Sequence, residues 1–468
     1  MKILLVAPCP PGEQRPKSMD IPQLTLSLIA SMTPPEYEVE ICEEVYDDVI
    51  NFDGDYHLIG ISIMTQTCLR GYAIANEFRN RGKKVVFGGI HATCLPEEAL
   101  QYGDAVVVGE AEGGLWPKLL EDLKVNRLRK IYKLDHFPDL EQAVRPRTEL
   151  IRCHSGRFAI APIETSRGCP YNCDFCTVSR FFGTRQRHKK ISSIIEEAEA
   201  LPQKYLFFLD DNITGDKRFA AELFRELAHL KKIWVGQASV NLSKDDELMK
   251  LAWKSGCRSL LIGFESMTDE GLNHYRKSLK SIDENVLAVN RLRDNGILVM
   301  ASLIFGLDSD TEETFDVGLE FIEKSRAAFF QSCIVTPYPG TPVFEKLKTE
   351  KRILTDDWSK FDTTKVNIIP KNYSPERLLE GSLEIQKKVY SNMSLMKRAL
   401  PNMMQGLDAT VLYWSLNKGY QKRLKAKRIV GVNRNAPGVP VDFNMAKYVA
   451  PSVPVDLKQE SRVGELVQ

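Results

Sequence analysis

The sequence predicts an α/β protein: two successive parallel-sheet units followed by a small helical region. Three observations carry this. Over the first 125 residues, short apolar runs alternate with helical patterns. From residue 156 to 345 a second alternation gives six strand–helix units. Beyond residue 346 strand patterns give way to helical ones. The 468 residues suffice for about three domains. The division read from this is 1–125, a linker over 126–155, 156–345, and 346–468 with a loose basic tail.

In the first unit, strands are expected at Lys2–Ala7, Val39–Cys42, His57–Ile63, Lys84–Gly88 and Asp104–Val108. Helices are expected at Pro22–Met32, Leu69–Arg81, Pro96–Gln101 and Gly113–Leu123. Such an order implies a doubly wound parallel sheet, whose ligands sit outside the carboxyl ends of the strands. The loops there are Pro8–Gly12, Met64–Cys68, Gly89–Thr93 and Gly109–Gly113. Their glycines suit close approach of backbone to a large ligand.

In the second unit, the expected strands are Phe158–Thr165, Tyr205–Leu209, Trp234–Ala238, Ser259–Phe264, Leu298–Phe305 and Phe329–Val335. Six such units imply a partial (β/α)6 barrel, with chemistry at the strands' carboxyl ends. Polar groups stand there: Asp210 and Asn212 after the second strand, Glu265 at the end of the fourth, Gly306 after the fifth. Each alone reads equally well as a helix cap or surface residue.

The first strand of this unit runs into Arg-Gly-Cys169-Pro-Tyr-Asn-Cys173-Asp-Phe175-Cys176, a C-x3-C-x2-C spacing. Three thiolates can hold three irons of a 4Fe–4S cluster and leave the fourth open to a small molecule. A structural zinc site is the alternative, with His188 as the next ligand candidate. His188 lies inside the basic run Arg185–Lys190, which reads more naturally as a solvated face or an anion contact.

Composition narrows the setting. Lys and Arg total 63 against 62 Asp and Glu, so charge gives no argument for a nucleic-acid partner. Met1–Val6 runs straight into Pro8, Pro10 and Pro11, unlike a secretory signal. No run approaches the ~20 apolar residues of a membrane span. Ten cysteines in so long a chain are no disulfide scaffold. A reducing, oxygen-poor cytoplasmic setting is expected.

The cysteine spacing, with Phe175 before its last member, is similar to that of the radical S-adenosylmethionine enzymes. The resemblance implies that the open iron chelates S-adenosylmethionine and that one electron releases a 5′-deoxyadenosyl radical. It also implies S-adenosylmethionine contacts at Asp210, Asn212, Glu265 (for the ribose or methionine end) and Gly306. The first unit resembles the cobalamin-binding module of that superfamily through Gly60-Ile-Ser-Ile-Met-Thr, Phe87-Gly-Gly-Ile-His-Ala-Thr and Val107-Val-Gly-Glu-Ala-Glu112. This implies cobalamin contacts at Met64, Thr65, Gly88, Gly89, His91, Gly109 and Glu110.

Asp55-Tyr-His57-Leu-Ile-Gly60 matches D-x-H-x-x-G, by which some cobalamin proteins supply an axial His. His57 begins a strand, at the wrong end of the sheet for a ligand. Cobalamin without an axial His is therefore expected, with His91 as a loop contact.

Together these resemblances, over residues 1 to about 400, imply a cobalamin-dependent radical methyltransferase using two S-adenosylmethionine per turnover. No catalytic side chain is assigned beyond the cluster. The implied partners are a small apolar substrate and an electron donor such as flavodoxin or ferredoxin, with no nucleic acid. A tetrapyrrole side chain of the bacteriochlorophyllide kind is the first reading of the substrate. Hopanoid C-methylation and oxidative cyclisation of the magnesium-protoporphyrin type stand as alternatives. Two rivals from other classes are a cobalamin or iron–sulfur redox sensor and an RNA methylthiotransferase. The latter would need three clustered N-terminal cysteines, whereas Cys9, Cys42, Cys68 and Cys94 are dispersed.

In the C-terminal region, Ser374-Pro375 opens a helix. Leu407–Leu416 is largely apolar, and Lys418–Arg434 is basic. Together they read as a solvated helix or as a surface anchor near membrane or pigment.

Overall fold

Ile3, Leu5 and Ala7 of the first strand lie in one apolar core, while Leu4 and Val6 lie in another. An unbroken apolar run is what a strand needs when both faces of its sheet are covered. The computed structural model of the chain describes residues 1–9, 23–46, 48–150, 160–268, 271 and 281–425. Its first sheet contains β1 (Lys2–Ala7), β2 (Glu38–Glu43), β3 (Leu58–Ser62), β4 (Lys84–Gly88), β5 (Ala105–Val108) and β6 (Ile131–Lys133). All are parallel, in the order β2-β1-β3-β4-β5-β6. The order reverses between β1 and β3, the crevice where doubly wound sheets take ligands. Helices Thr25–Met32 and Leu115–Lys124 cover one face, and Cys68–Asn80 and Pro96–Tyr102 the other.

β6 was not expected. It lies in the stretch read as a linker, and Tyr132 is its one buried side chain. Three residues with one apolar position inward carry too little pattern to be read as a strand. The loop expected at Gly89–Thr93 is mostly a short helix, Ile90–Cys94.

The second sheet has β7 (Ile160–Ile163), β10 (Tyr205–Phe208), β11 (Ile233–Ala238), β12 (Cys257–Glu265), β13 (Leu298–Phe305) and β14 (Phe329–Ile334). Six parallel strands stand in sequential order, which is the expected partial barrel. Leu206 and Phe208, Leu260, Ile262 and Phe264, and Ala301, Leu303 and Phe305 pack into the core. The alternate residues of each strand face the concave side. Between β7 and β10 a small antiparallel hairpin forms from β8 (Ser166–Arg167) and β9 (Arg187–His188).

After the barrel the chain crosses back to the first domain. Trp358 and Phe361 join the first domain's core, and Trp358 Nε1 donates to Glu98, 3.3 Å away. Three helices follow: Pro375–Val389, Asn392–Met403 and Leu407–Lys425. Ser374 caps the first, accepting from the Arg377 N–H, with Pro375 at its first turn as expected. The last helix takes in the start of the basic stretch as well as the apolar run. Residues 426–468, with most of the loose tail, lie outside the described residues, as do 10–12 of the first strand-end loop. Among the described residues no helix is long and apolar enough to cross a membrane.

Candidate active site

The cysteine loop leaves β7 through Glu164, Thr165 and β8, at the carboxyl end of the barrel. It is pinned on three sides. The Cys169 N–H donates to Gly183 O at 3.4 Å, and the Val343 N–H to Asp174 O at 3.2 Å. Tyr171 Oη accepts from Asn241 Nδ2 at 2.7 Å and lies 3.1 Å from Ser239 Oγ. Gly168 holds φ +89°, and a Cβ there would stand 2.6 Å from Arg185 O, so only glycine fits the neck of the loop.

Cys169, Cys173 and Cys176 are all half-buried. Burial, with the charges of Cys173, Asp211 and Cys169 adding to it, pushes the Cys176 thiol up to about 12. A donor set of this kind is held ionised only by a cation bound among it. Among the described residues the only His, Cys, Asp or Glu group converging to within 4.8 Å is Cys68, His91 and Glu98. The three cysteines therefore do not close on a single ion, as zinc with bonds of about 2.3 Å would require. His188 stacks instead on Phe219, with ring centroids 4.0 Å apart. Three thiols on one loop, not converging as ligands of one ion, are the donor set of a cluster rather than of zinc.

Beside the loop lies a buried charge knot. Arg167 and Arg187 are directly paired on the hairpin, an arrangement that repels unless answered. Glu110 of the first domain answers both. It accepts from Arg167 Nη1 at 2.5 Å and from Arg187 Nη1 at 3.2 Å. Arg167 also forks onto Glu164 at 2.9 and 3.0 Å and pairs with Glu112 at 2.6 Å. Arg167, Glu110 and Glu112 are each less than a tenth exposed. The carboxylate of Glu110, expected at the cobalamin site, is thus engaged by two guanidinium groups. The reading of the basic run as a solvated face is corrected, since Arg187 turns inward and Lys189 is buried within 3.6 Å of Glu197. Sequence reasoning passed over Arg167, although it stands two residues before Cys169.

On the barrel, residue parity sorts the expected contacts. Asp210 continues the core-facing side of β10 and is 1% exposed. It accepts from the Thr165 N–H at 3.1 Å, Thr165 Oγ1 at 2.6 Å and Ser166 Oγ at 2.5 Å. Burial pushes its pKa up to about 6 against those donors. Asn212 is likewise buried, its Oδ1 accepting from the Ser239 N–H at 3.0 Å and from Thr214 Oγ1 at 3.1 Å. Both side chains brace the strand ends through these bonds. The Gly306 N–H is spent on Asp310, at 2.9 Å, and its Cβ position is covered by Leu378 and Val335.

Between Asp210 and Asn212 stands Asp211, part of the same polar strand end. It is half-buried, in the field of Cys176. Burial, reinforced by Asp210 and Glu164, pushes it up to about 7. Glu265 keeps the expected position, half-buried at the end of β12, with φ +65° at a break in register against β13. A side chain on Gly263 would strike its carboxylate at 2.1 Å, so the glycine makes room for it.

At the carboxyl end of the first sheet, His91 and Thr65 turn inward. His91 is fully buried, with Nδ1 3.3 Å from Thr65 Oγ1 and Nε2 3.2 Å from Glu98. Glu98 also accepts from Tyr72 Oη at 2.8 Å. His91 and Thr65, expected as cobalamin contacts, hold the loops together from beneath in this geometry.

Met64 and Gln66 alternate with them, half-buried. Gly88 and Gly109 face open space, with nothing within 4 Å of a Cβ at either. Gly89 is different: at φ +93° its Cβ would lie 2.6 Å from Ile63 O. An open, glycine-lined strand edge fits a bulky cofactor. His57 sits at the opposite end of the sheet, its Nδ1 accepting from the Lys2 N–H at 3.2 Å.

Residues 163–322 match the radical SAM superfamily and residues 20–115 the B12 binding domain. The bacteriochlorophyllide d C-8(2)-methyltransferase of Chlorobaculum tepidum is 32% identical over 403 residues, covering 81% of this chain and 88% of that protein. This chain belongs to the cobalamin-dependent radical S-adenosylmethionine methyltransferases. The C-12(1)-methyltransferase of the same organism is 30% identical, covering 80% of this methyltransferase and 84% of that protein. The radical methyltransferase TsrM of Kitasatospora setae shares the fold, with a TM-score of 0.68, 16% identity, and coverage of 91% and 99%. A 4Fe–4S cluster, S-adenosylmethionine and cobalamin are the cofactors of this methyltransferase.

Proposed function

We propose that this methyltransferase adds a methyl group to an unactivated carbon on the side chain of a tetrapyrrole of the bacteriochlorophyllide kind. Two relatives that align along most of the chain carry that activity in their names. The observation that carries the site assignment is the half-buried cysteine loop joined through Arg167 to the open glycine edge of the first domain. In this reading Cys169, Cys173 and Cys176 hold the cluster. Glu265 and Asp211 address S-adenosylmethionine from the concave side of the barrel. Met64, Gln66, Gly88 and Gly109 receive cobalamin, while Thr65, His91 and Glu98 stiffen the loops below.

When bound, the cofactors supply reductive carbon–sulfur cleavage and methyl transfer. The chain's own part is to register the two cofactor ends, orient the substrate and exclude water. In this reading turnover takes two S-adenosylmethionine. His57 lies at the far end of the sheet and His91 is engaged by Thr65 and Glu98, so cob(II)alamin bound to the protein is expected to show no nitrogen superhyperfine splitting. Exposed Arg180, Arg185, Lys190 and Arg218 around the cysteine loop suit an acidic one-electron donor such as flavodoxin or ferredoxin. The setting is cytoplasmic.

Hopanoid methylation is the second reading, supported by 26% identity to the hopanoid C-2 methylase of Rhodopseudomonas palustris over 72% of this chain. The test is anaerobic turnover with methyl-deuterated S-adenosylmethionine against bacteriochlorophyllides and hopenes in parallel. Label in a bacteriochlorophyllide side chain is expected. Label in the hopene alone moves the assignment to lipid, and label in neither removes both substrates.

A further inference from the structure

The helix Asn392–Met403 is apolar on both sides. Its inward face carries Leu395 and Ala399 with the polar Ser394, Arg398 and Asn402, and its outward face carries Met393, Met396 and Leu400. The inward polar groups are satisfied by backbone carbonyls. Arg398 donates to Ala327 O, Ala328 O and Val389 O at 2.7, 3.1 and 2.8 Å, and Asn402 to Arg326 O at 3.0 Å. The outward row continues through Met404 to Leu407 and Val411 of the next helix. Within each helix, spacings of three, four and seven keep Met393, Met396 and Leu400, and then Leu407 and Val411, on one side. Met393, Met396, Leu400, Met404 and Leu407 are each at least 65% exposed. A contiguous apolar strip of this kind marks an interaction surface, and methionine suits a yielding partner.

The partner's chemistry follows from charge. Along the second helix the exposed face passes from Leu407 and Val411 to Lys418, Lys422 and Lys425, and Lys397 flanks the strip on the first. Residues 392–425 hold six Lys or Arg and one acid, Asp408, in a chain whose net charge is +1. An apolar strip with a cationic end fits the interface of an anionic bilayer, where apolar side chains enter the acyl boundary and lysines meet phosphates. The hairpin packs on Leu298, Ala328 and Phe329, at the amino ends of β13 and β14. That is the opposite end of the barrel from the cysteine loop, so docking leaves the site open.

We infer that the outward face of residues 393–425 seats the enzyme on an anionic lipid surface. The inference does not rest on the identity of the substrate. The test is co-sedimentation of the full chain with phosphatidylglycerol vesicles and with phosphatidylcholine vesicles, at low and high salt. The full chain is expected to sediment with the anionic vesicles, at least tenfold more weakly with the neutral ones, and less at high salt. Met396→Gln/Leu400→Gln/Met404→Gln and, separately, Lys418→Glu/Lys422→Glu should each lose binding while keeping the parent's circular dichroism and melting temperature. Three results overturn the inference: no binding by the parent chain, undiminished binding by both variants, or a parent dimer that becomes monomeric in the apolar variant. The last would assign the face to a second copy.

Discussion

The two strand ends that face the cofactors solve the same problem differently. At the carboxyl end of the first sheet Thr65 and His91 fold inward, Glu110 reaches across to Arg167 and Arg187, and Gly88 and Gly109 leave space. At the carboxyl end of the barrel the side chains alternate: Asp210 and Asn212 are buried braces, while Asp211 between them is half-exposed toward Cys176. One end is shaped by what is missing, the other by the parity of what is present. In both, a polar residue at a strand end is as much a fastening as a contact, and only its hydrogen-bond partners tell which.

The sharpest way to break this comparison is at the knot that joins the two ends. Arg167→Met leaves the carboxylates of Glu110, Glu112 and Glu164 without their main partner. Uncompensated buried charge costs about 3–5 kcal/mol, so the denaturation midpoint should fall steeply. Adding Glu110→Gln and Glu112→Gln to Arg167→Met removes two of the stranded charges and should restore a good part of that stability. The triple variant should still release 5′-deoxyadenosine but transfer less methyl per 5′-deoxyadenosine. Coupling equal to the parent's would reduce the knot to a purely structural feature.

A smaller effect separates neighbours on β10's carboxyl end. Asp210→Asn loses at least one of three buried hydrogen bonds, a cost of about 1–3 kcal/mol. It should leave the KM for S-adenosylmethionine close to the parent's once folded. Asp211→Asn should do the reverse, changing stability little and raising that KM severalfold. An exchange of these outcomes would show that the parity assignment is inverted.

In the first domain, Gly88→Val fills open space without a backbone penalty, and it should weaken cobalamin retention severalfold with an unchanged melting temperature. Gly89→Ala meets Ile63 O at 2.6 Å in a left-handed conformation and should lower the melting temperature instead.

The smallest effect is a pH dependence. Asp310 is buried, and although the N–H groups of Gly306 and Leu307 donate to it, burial pushes it up to about 7. Its folded pKa thus lies above the unfolded value of 3.8. The native state is favoured, for this group, as pH falls through about 7 toward 4. Asp310→Asn should flatten the change in melting temperature between pH 8 and pH 6, and an unaltered slope would remove Asp310 as its source.

Much of this was legible in the sequence. Apolar runs at strand spacing mark both sheets because β1 to β5 and the six barrel strands are buried on at least one face. The cysteine spacing marks the loop because three thiols set this close are the donor set of a cluster. What stayed hidden depends on partners distant in the chain. Nothing local says that Glu110 meets Arg167 across 57 positions, or that Trp358 reaches Glu98 across 260. Parity at a strand end is equally hidden, since Asp210, Asp211 and Asn212 are all polar and the strand's last core residue must be known to orient them. β6 is hidden for want of length, and the burial of His91 because a histidine in a ligand loop looks the same whether it faces out or in.

The measurement that tests the central claim most directly is iron content together with 5′-deoxyadenosine release, in the reconstituted parent and in Cys173→Ala under anaerobic reductant. The account predicts about four irons per chain and reductive release of 5′-deoxyadenosine in the parent, with both lost in the variant. A variant that keeps its iron and still cleaves S-adenosylmethionine would contradict it.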